Sequence, residues 1–193
     1  GATVSFDKVT LTYPEETATP IHMGVSGPKM LQLSGEIADG TVLSVAASHG
    51  YVRWAKEQID AGRRVAGRED RHRVTVFALY SVDKDPDVAR AAVRGPLGFY
   101  KATGTNALTD VYGNSKQVEA LLAEHGADLL ADHMPDQWIE DLTIAGTPEE
   151  CADKIRAFGA AGADAVALFP LPTERVDDLV ELTAREVLPR LGS

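Results

Sequence analysis

The feature that most constrains the fold is a regular alternation of short apolar runs with amphipathic helical stretches. The apolar runs lie at residues 21–25, 41–45, 74–82 and 165–169, and a helical pattern follows each of them. The longest, from Val74 to Val82, is nearly apolar throughout, as is typical of a strand that is covered on both faces. Buried strands that alternate with helices predict a parallel α/β sheet with right-handed crossovers.

Four strand–helix units fit either a small open sheet or about half of a (β/α)8 barrel, which needs ~250 residues. The chain has 193 residues, and periodicity does not choose between the two. Because no Gly/Ser-rich or Pro-rich linker divides the sequence, we predict a single domain over residues 1–193. An irregular lead-in at 1–19 and an irregular insert at 100–145 interrupt the regular pattern.

Helix boundaries are marked by proline and by capping residues. Pro28 and Pro86 suit first helical turns, where a missing N–H costs nothing. Thr147-Pro148-Glu149-Glu150 is a capping box that starts a helix. Further helices are predicted at 50–66, 115–125, 127–133 and 174–188, with Pro135 interrupting the insert. In the last helix the predicted inward face consists of Val176, Leu179, Val180, Thr183 and Val187.

Charge and cysteine content exclude several classes of protein. The net charge of −10 disfavours nucleic acid as a partner. Cys151 is the single cysteine and lies on the apolar side of its predicted helix, which indicates an inert core thiol. No apolar run approaches the ~20 residues of a membrane span, and the first residues do not resemble a signal peptide. The sequence therefore predicts a cytoplasmic protein without a membrane partner.

The segment Ser26-Gly27-Pro28-Lys29 lies between a strand end and a helix start and is the best candidate site. Free N–H groups and the helix dipole favour an anion at such a terminus. Gly27 has no Cβ to keep a phosphate away, and Ser26 adds a hydroxyl donor. The loop also falls at the carboxyl ends of the strands, where α/β folds bind small molecules. The alternative is an ordinary strand-to-helix turn that binds nothing.

The histidines do not suggest a metal site. None of the five pairs at the i, i+4 spacing, and one cysteine cannot build a zinc site, so we predict no bound metal. His22 lies inside a strand and can face a barrel interior, or it is a satisfied core residue. His49 follows the second strand and either contacts a ligand or belongs to a helix-capping loop. No complete catalytic set is evident, and the catalytic residues stay unidentified.

Three segments resemble one family. The stretch from Pro20 to Leu31, PIHMGVSGPKML, with its continuation to Gly40, is similar to a hallmark of the luciferase-like family. It is most similar to the branch that uses the deazaflavin F420 and resembles methylene-tetrahydromethanopterin reductase. The stretches 51–82 and 145–169 agree. The family fold is a (β/α)8 TIM barrel of about twice this length, and the likeness is to its C-terminal half.

The resemblance implies part of an oxidoreductase that transfers a hydride between F420 and an organic small-molecule substrate. It implies that Val25, Ser26 and Gly27 contact the phosphate-bearing tail of the cofactor. An FMN-dependent monooxygenase of the same family is the alternative. The family's acid/base and ring-facing residues come largely from its first four strands, to which no segment of this sequence corresponds. We therefore expect no turnover by the chain alone.

A half barrel leaves its sheet edges and its interior face open. We expect Met23, Val42, Phe77 and Leu168 to face water unless a second copy of the chain or the front half of the barrel covers them. A non-catalytic half-barrel module that pairs with another chain, and a proteolytic or engineered fragment without its own function, are the remaining hypotheses.

Overall fold

A computed structural model describes residues 7–10, 12, 19–103 and 106–192, so the predicted lead-in at 1–19 lies largely outside the described residues. The strands are β1 (His22–Gly24), β2 (Gly40–Leu43), β3 (Arg73–Val82), β4 (Ile144–Gly146) and β5 (Ala165–Pro170). The helices are α1 (Pro28–Ile37), α2 (His49–Ala66), α3 (Pro86–Thr103), α4 (Asn106–Tyr112), α5 (Ser115–His125), α6 (Leu130–His133), α7 (Asp136–Leu142), α8 (Pro148–Ala160) and α9 (Val176–Leu182). Within these residues no helix is long and apolar enough to cross a membrane.

The sheet is parallel, and its strands run in the order β1-β2-β3-β5. The four predicted strands are therefore adjacent and parallel as expected. The short strand β4 was not predicted. It pairs with the end of β3 at Tyr80–Val82. Because Tyr80 also pairs with β5, β4 and β5 lie on opposite sides of β3. β4 is therefore on the same side as β2, which pairs with the beginning of β3.

Strand register decides which side chains face the helices. Thr41 of β2 pairs with Val74 of β3, and both are buried beneath the helix layer. The alternate positions Val42, Thr75 and Phe77 therefore point to the other side of the sheet, here called the inner face. Phe77 is 38% exposed there and Val42 is half-buried, as predicted.

Two residues predicted on the inner face lie on the helix face instead. Met23 pairs with Thr41, so its side chain points towards the helices, and Gly24 takes the inner position beside Val42. Leu168 pairs with Ala78 and packs against the helix-side core. Both predictions were wrong because a short apolar strand does not show which of its alternate positions is inside.

The predicted capping box is confirmed at the start of α8. Thr147 Oγ1 accepts from the N–H of Glu150 at 3.3 Å, and the Thr147 N–H donates to Glu150 Oε2 at 2.7 Å. One turn on, Cys151 is fully buried and its thiol donates to the backbone carbonyls of Ser81 and Gly146. Burial raises the pKa of this thiol to about 12, so it is protonated and inert at neutral pH.

The insert is more helical than predicted. Beside the expected α5 and α6 it contains α4 and α7, and Pro135, which was predicted to interrupt the insert, is the N-cap of α7. Its apolar residues form a second core with Val45, Leu79 and Leu171, which lie at or beyond the carboxyl ends of strands. The insert therefore packs against the sheet at the edge where the candidate site was predicted.

A buried lysine near the end of α3 contacts residues further along the insert. Lys101 is 5% exposed and donates to Asn114 Oδ1 at 3.2 Å. Its ammonium lies 5.7 Å from the ring centroid of Tyr112 and 5.3 Å from that of Trp138. Burial lowers the pKa of Lys101 to about 8, because the aromatic rings compensate only part of the lost hydration.

The last helix is only partly as predicted. It continues beyond α9 through a π turn at Thr183–Val187 and a 3-10 turn at Leu188–Leu191. Leu179, Thr183 and Val187 are buried, whereas Val176 is 38% and Val180 is 57% exposed. Both exposed valines precede the π turn, and they lie in the helix that follows β5, which is the last strand on this side of the sheet among the described residues.

Candidate functional site

The loop between β1 and α1 is held from three sides. The Val25 N–H donates to the carbonyl of Val42 in β2 at 3.3 Å, and the Leu31 N–H donates to the carbonyl of Gly27 at 2.9 Å. The hydroxyl of Tyr51 in α2 donates to the carbonyl of Ser26 at 2.7 Å. Burial raises the pKa of Tyr51, so this hydroxyl stays protonated and keeps donating. The loop backbone therefore has a defined position relative to the sheet.

Gly27 is the N-cap of α1, and nothing in the fold requires a glycine there. Its φ of −84° and ψ of 156° are extended values that any residue adopts. A Cβ added at Gly27 would meet no atom within 4 Å, and the same holds at Gly24. The absence of a side chain thus leaves open space above the helix N-terminus. The open space is the property that a bound phosphate would need.

The electrostatics of the same terminus suit an anion. The first turn of α1 contains no acidic residue, so no side-chain carboxylate competes for the positive end of the helix dipole. Pro28 occupies the first helical position and Lys29 follows it, which adds one cation to the turn. The residues present at this terminus are therefore chemically compatible with a phosphate group.

A cleft of about 370 Å³ extends from this loop across the inner face. Its lining is uncharged and mixes small and apolar side chains. The lining residues are Gly24, Val25, Ser26, Val42, Leu43, Ser44, Val45, Phe77 and Tyr100. Such a lining accepts an uncharged flat group beside the phosphate position. All three predicted site residues, Val25, Ser26 and Gly27, lie on this loop, and the first two line the cleft.

Neither histidine considered from the sequence lines this cleft. His22 lies on the inner face, as its register with Gly40 shows, but it is at the beginning of β1, away from the Ser26 loop. His49 packs edge-on against Phe158 of α8, with ring centroids 4.4 Å apart, and burial lowers its pKa. Ser48 caps α2 by accepting from the Tyr51 N–H at 3.1 Å. His49 thus belongs to the capping loop and not to the ligand side.

Two residues that line the cleft, Phe77 and Tyr100, were not predicted from the sequence to belong to the candidate site. Phe77 was predicted to be exposed, but nothing in the sequence related it to the Ser26 loop. Tyr100 comes from α3, whose approach to the cleft depends on how the insert packs. Tyr100 is the one lining residue with a titratable side chain, so a complete acid/base set does not assemble here. Within the described ranges, no group of three or more His, Cys, Asp or Glu could hold a metal.

Comparison with known proteins matches this geometry to one family. A family model described as luciferase-like monooxygenase matches residues 1–165. The 5,10-methylenetetrahydromethanopterin reductase of Archaeoglobus fulgidus is 31% identical over 182 residues, covering 89% of this chain and 54% of the reductase. The chain spans about half the length of the curated relatives that it matches.

Solved structures agree on the architecture. The coenzyme F420-dependent tetrahydromethanopterin reductase from Methanopyrus kandleri superposes with a TM-score of 0.75 at 27% identity, covering 89% of this chain and 51% of that one. An F420-dependent secondary alcohol dehydrogenase, solved with an F420–acetone adduct, gives a TM-score of 0.71 at 21% identity and shares the fold. The superposition covers all of this chain and 55% of the dehydrogenase. The four parallel units are thus about half of a (β/α)8 barrel and not an open sheet.

Proposed function

The chain belongs to the luciferase-like monooxygenase family, and from this premise we propose that it forms the phosphate-binding part of an F420-dependent oxidoreductase. One observation carries the proposal. The N-terminus of α1 is left open at Gly27, where neither backbone conformation nor packing excludes a side chain. The relatives that match over most of this chain include F420-dependent enzymes, and F420 carries a phosphate.

In this proposal the chain binds and shields the cofactor, and the cofactor supplies hydride transfer with an organic substrate. The backbone at Ser26 and Gly27 binds the phosphate, and Tyr51 fixes that backbone through its hydrogen bond to Ser26. Val42, Phe77 and Tyr100 give the cleft an uncharged wall that excludes water from the ring. Water exclusion strengthens the electrostatic interactions that guide hydride transfer.

The proton-handling groups are proposed to come from outside this cleft. Of its lining residues only Tyr100 has an ionisable side chain, which does not make a complete acid/base set. Turnover is therefore proposed to need residues from the other half of the barrel, the half of the relatives that this chain does not match. The chain alone is proposed to bind cofactor weakly and to have no activity.

The inner face is proposed to be covered by the front half of the barrel or by a second copy of the chain. Phe77 remains 38% exposed at the centre of a face that lies inside a complete barrel, and β1 and β5 present unpaired strand edges among the described residues. Light scattering on the chain, whose mass is 20.6 kDa, is expected to show self-association or aggregation. A well-behaved monomer at millimolar concentration would refute this coverage.

The cofactor assignment is tested by titration. F420 and FMN are both fluorescent, so each is titrated with the protein while fluorescence anisotropy reports the bound fraction. We expect F420 to bind more tightly than FMN, because the matching relatives named above are F420-dependent. Tighter binding of FMN would favour the flavin monooxygenase alternative. Binding of neither would remove the support for a cofactor site in this chain.

A further inference from the structure

The strand register brings one aromatic side chain level with the proposed phosphate loop. Gly24, Val42 and Thr75 form one row across the inner face. Two residues further along the chain, Ser26 and Ser44 lie just beyond the ends of β1 and β2 and come level with Phe77 of β3, and all three line the same cleft. Neighbouring strands are 4.7–4.9 Å apart, so two spacings place Phe77 about 10 Å from the Ser26 backbone.

This separation matches the chemistry of the proposed cofactor. In both F420 and FMN a five-carbon polyol chain joins the phosphate to the tricyclic ring. Because the cleft extends from the Ser26 loop to Phe77, a phosphate bound at Gly27 places the ring along the cleft towards β3. The path between them passes Ser26, Ser44 and Val42, and Gly24 has no side chain, which leaves room for a flat group.

Phe77 is held in one orientation by its neighbour. Its ring stacks against Phe169 of β5 with centroids 6.1 Å apart and an interplanar angle of 27°. One side of Phe77 is therefore packed, while 38% of the residue remains exposed towards the cleft. Tyr100 reaches the same cleft from α3 and is itself partly buried against the second core. Together they make a supported aromatic wall without a charged group.

We infer that Phe77 and Tyr100 are the ring-contacting residues of this half barrel and form the wall against which the tricyclic ring of the cofactor lies. The inference rests on the proposed function, because the phosphate position sets the distance to the ring. Aromatic side chains bind flat heterocycles through dispersion and offset stacking. The wall is uncharged, like the rest of the cleft lining, and therefore also keeps water from the ring.

The test is a matched pair of aromatic truncations, Phe77→Ala and Phe99→Ala. Phe99 precedes Tyr100 in α3, with ring centroids 5.7 Å apart, is 64% exposed and does not line the cleft. Stacking of a base on an aromatic side chain is worth about 1–3 kcal/mol. We therefore expect Phe77→Ala to raise the dissociation constant for F420 about five- to 150-fold, and Phe99→Ala to leave it within about two-fold.

Inorganic phosphate, used as a competitor, separates the ring wall from the phosphate loop. Its inhibition constant against F420 is expected to be the same in wild type and Phe77→Ala, because the phosphate does not touch Phe77. Unchanged F420 affinity in Phe77→Ala would overturn the ring wall and leave the proposed function standing. Equal losses for F420 and phosphate would also overturn it, since Phe77 would then act through the loop. Failure of wild type to bind F420 or FMN would overturn both.

Discussion

A Gly27→Val variant is expected to bind F420 about ten- to a hundred-fold more weakly than wild type. The new side chain would enter the open space above the N-terminus of α1, where a Cβ meets no atom within 4 Å. The N–H groups that favour an anion point into this space. Each charge-assisted hydrogen bond lost there costs about 1.5–3 kcal/mol. Fluorescence titration with F420, and separately with FMN, measures the effect.

The fold is expected to survive this change, which makes the binding defect selective. Residue 27 has extended backbone angles that valine readily adopts, and an extended residue also suits the position before Pro28. Valine is a poorer N-cap than glycine by about 1 kcal/mol at most, so the melting temperature should fall by no more than about 2–4 °C. The affinity of the Gly27→Ala variant for F420 should lie between those of wild type and Gly27→Val.

Gly159→Val is the matched control for the affinity measurement. Gly159 is exposed whereas Gly27 is half-buried, and both have open space around the Cβ position. Gly159 lies at the end of α8, far from Thr147 and the strand ends. Its affinity for F420 should equal that of wild type. If Gly27→Val bound F420 as tightly as this control, the phosphate assignment for Ser26 and Gly27 would be wrong.

A Gly62→Ala variant is expected to lose about 3 kcal/mol of folding free energy, at the upper end of the usual cost of overpacking. A Cβ at residue 62 would lie 1.9 Å from the backbone oxygen of Gln32, and one at Gly35 would lie 2.1 Å from that of Ile59. The contacting atoms are backbone, so α1 and α2 would have to move apart. We expect the melting temperature to fall by about 6–12 °C.

The sign of this effect distinguishes packing from helix propensity. In an exposed helix, alanine stabilises by about 1 kcal/mol relative to glycine. Gly159→Ala, which meets no neighbouring atom, should therefore raise the melting temperature slightly. Thermal unfolding followed by circular dichroism compares the two variants. Equal stabilisation in both would show that α1 and α2 do not approach as closely as the structure has them.

Signals contained within a few neighbouring residues were predicted from the sequence. The capping box of α8 is an example, since Thr147, Pro148 and Glu150 lie within four positions and bond to one another. The four main strands were also predicted, because each is a continuous apolar run followed by a helix. The β1–α1 loop was identified as the candidate site for the same reason. Its glycine, proline and helix start are adjacent in the chain.

Features that depend on pairing between distant segments were not predictable. Met23 and Leu168 were placed on the wrong face because only the register with β2 and β3 shows which alternate residue points inward. The short β4 has three residues and no pattern of its own, and exists because the end of β3 is free to pair there.

The sequence by itself determined the order of strands and helices, the helix starts and the position of the candidate site loop, because all of these are set by local hydrogen bonding and local hydrophobic pattern. Only the tertiary structure decided that Phe77 and Tyr100 meet the loop in one cleft, and that Gly62 lies directly against the backbone of Gln32. These contacts join residues 23 to 74 positions apart. They form because side chains pack between elements that the chain brings together only on folding.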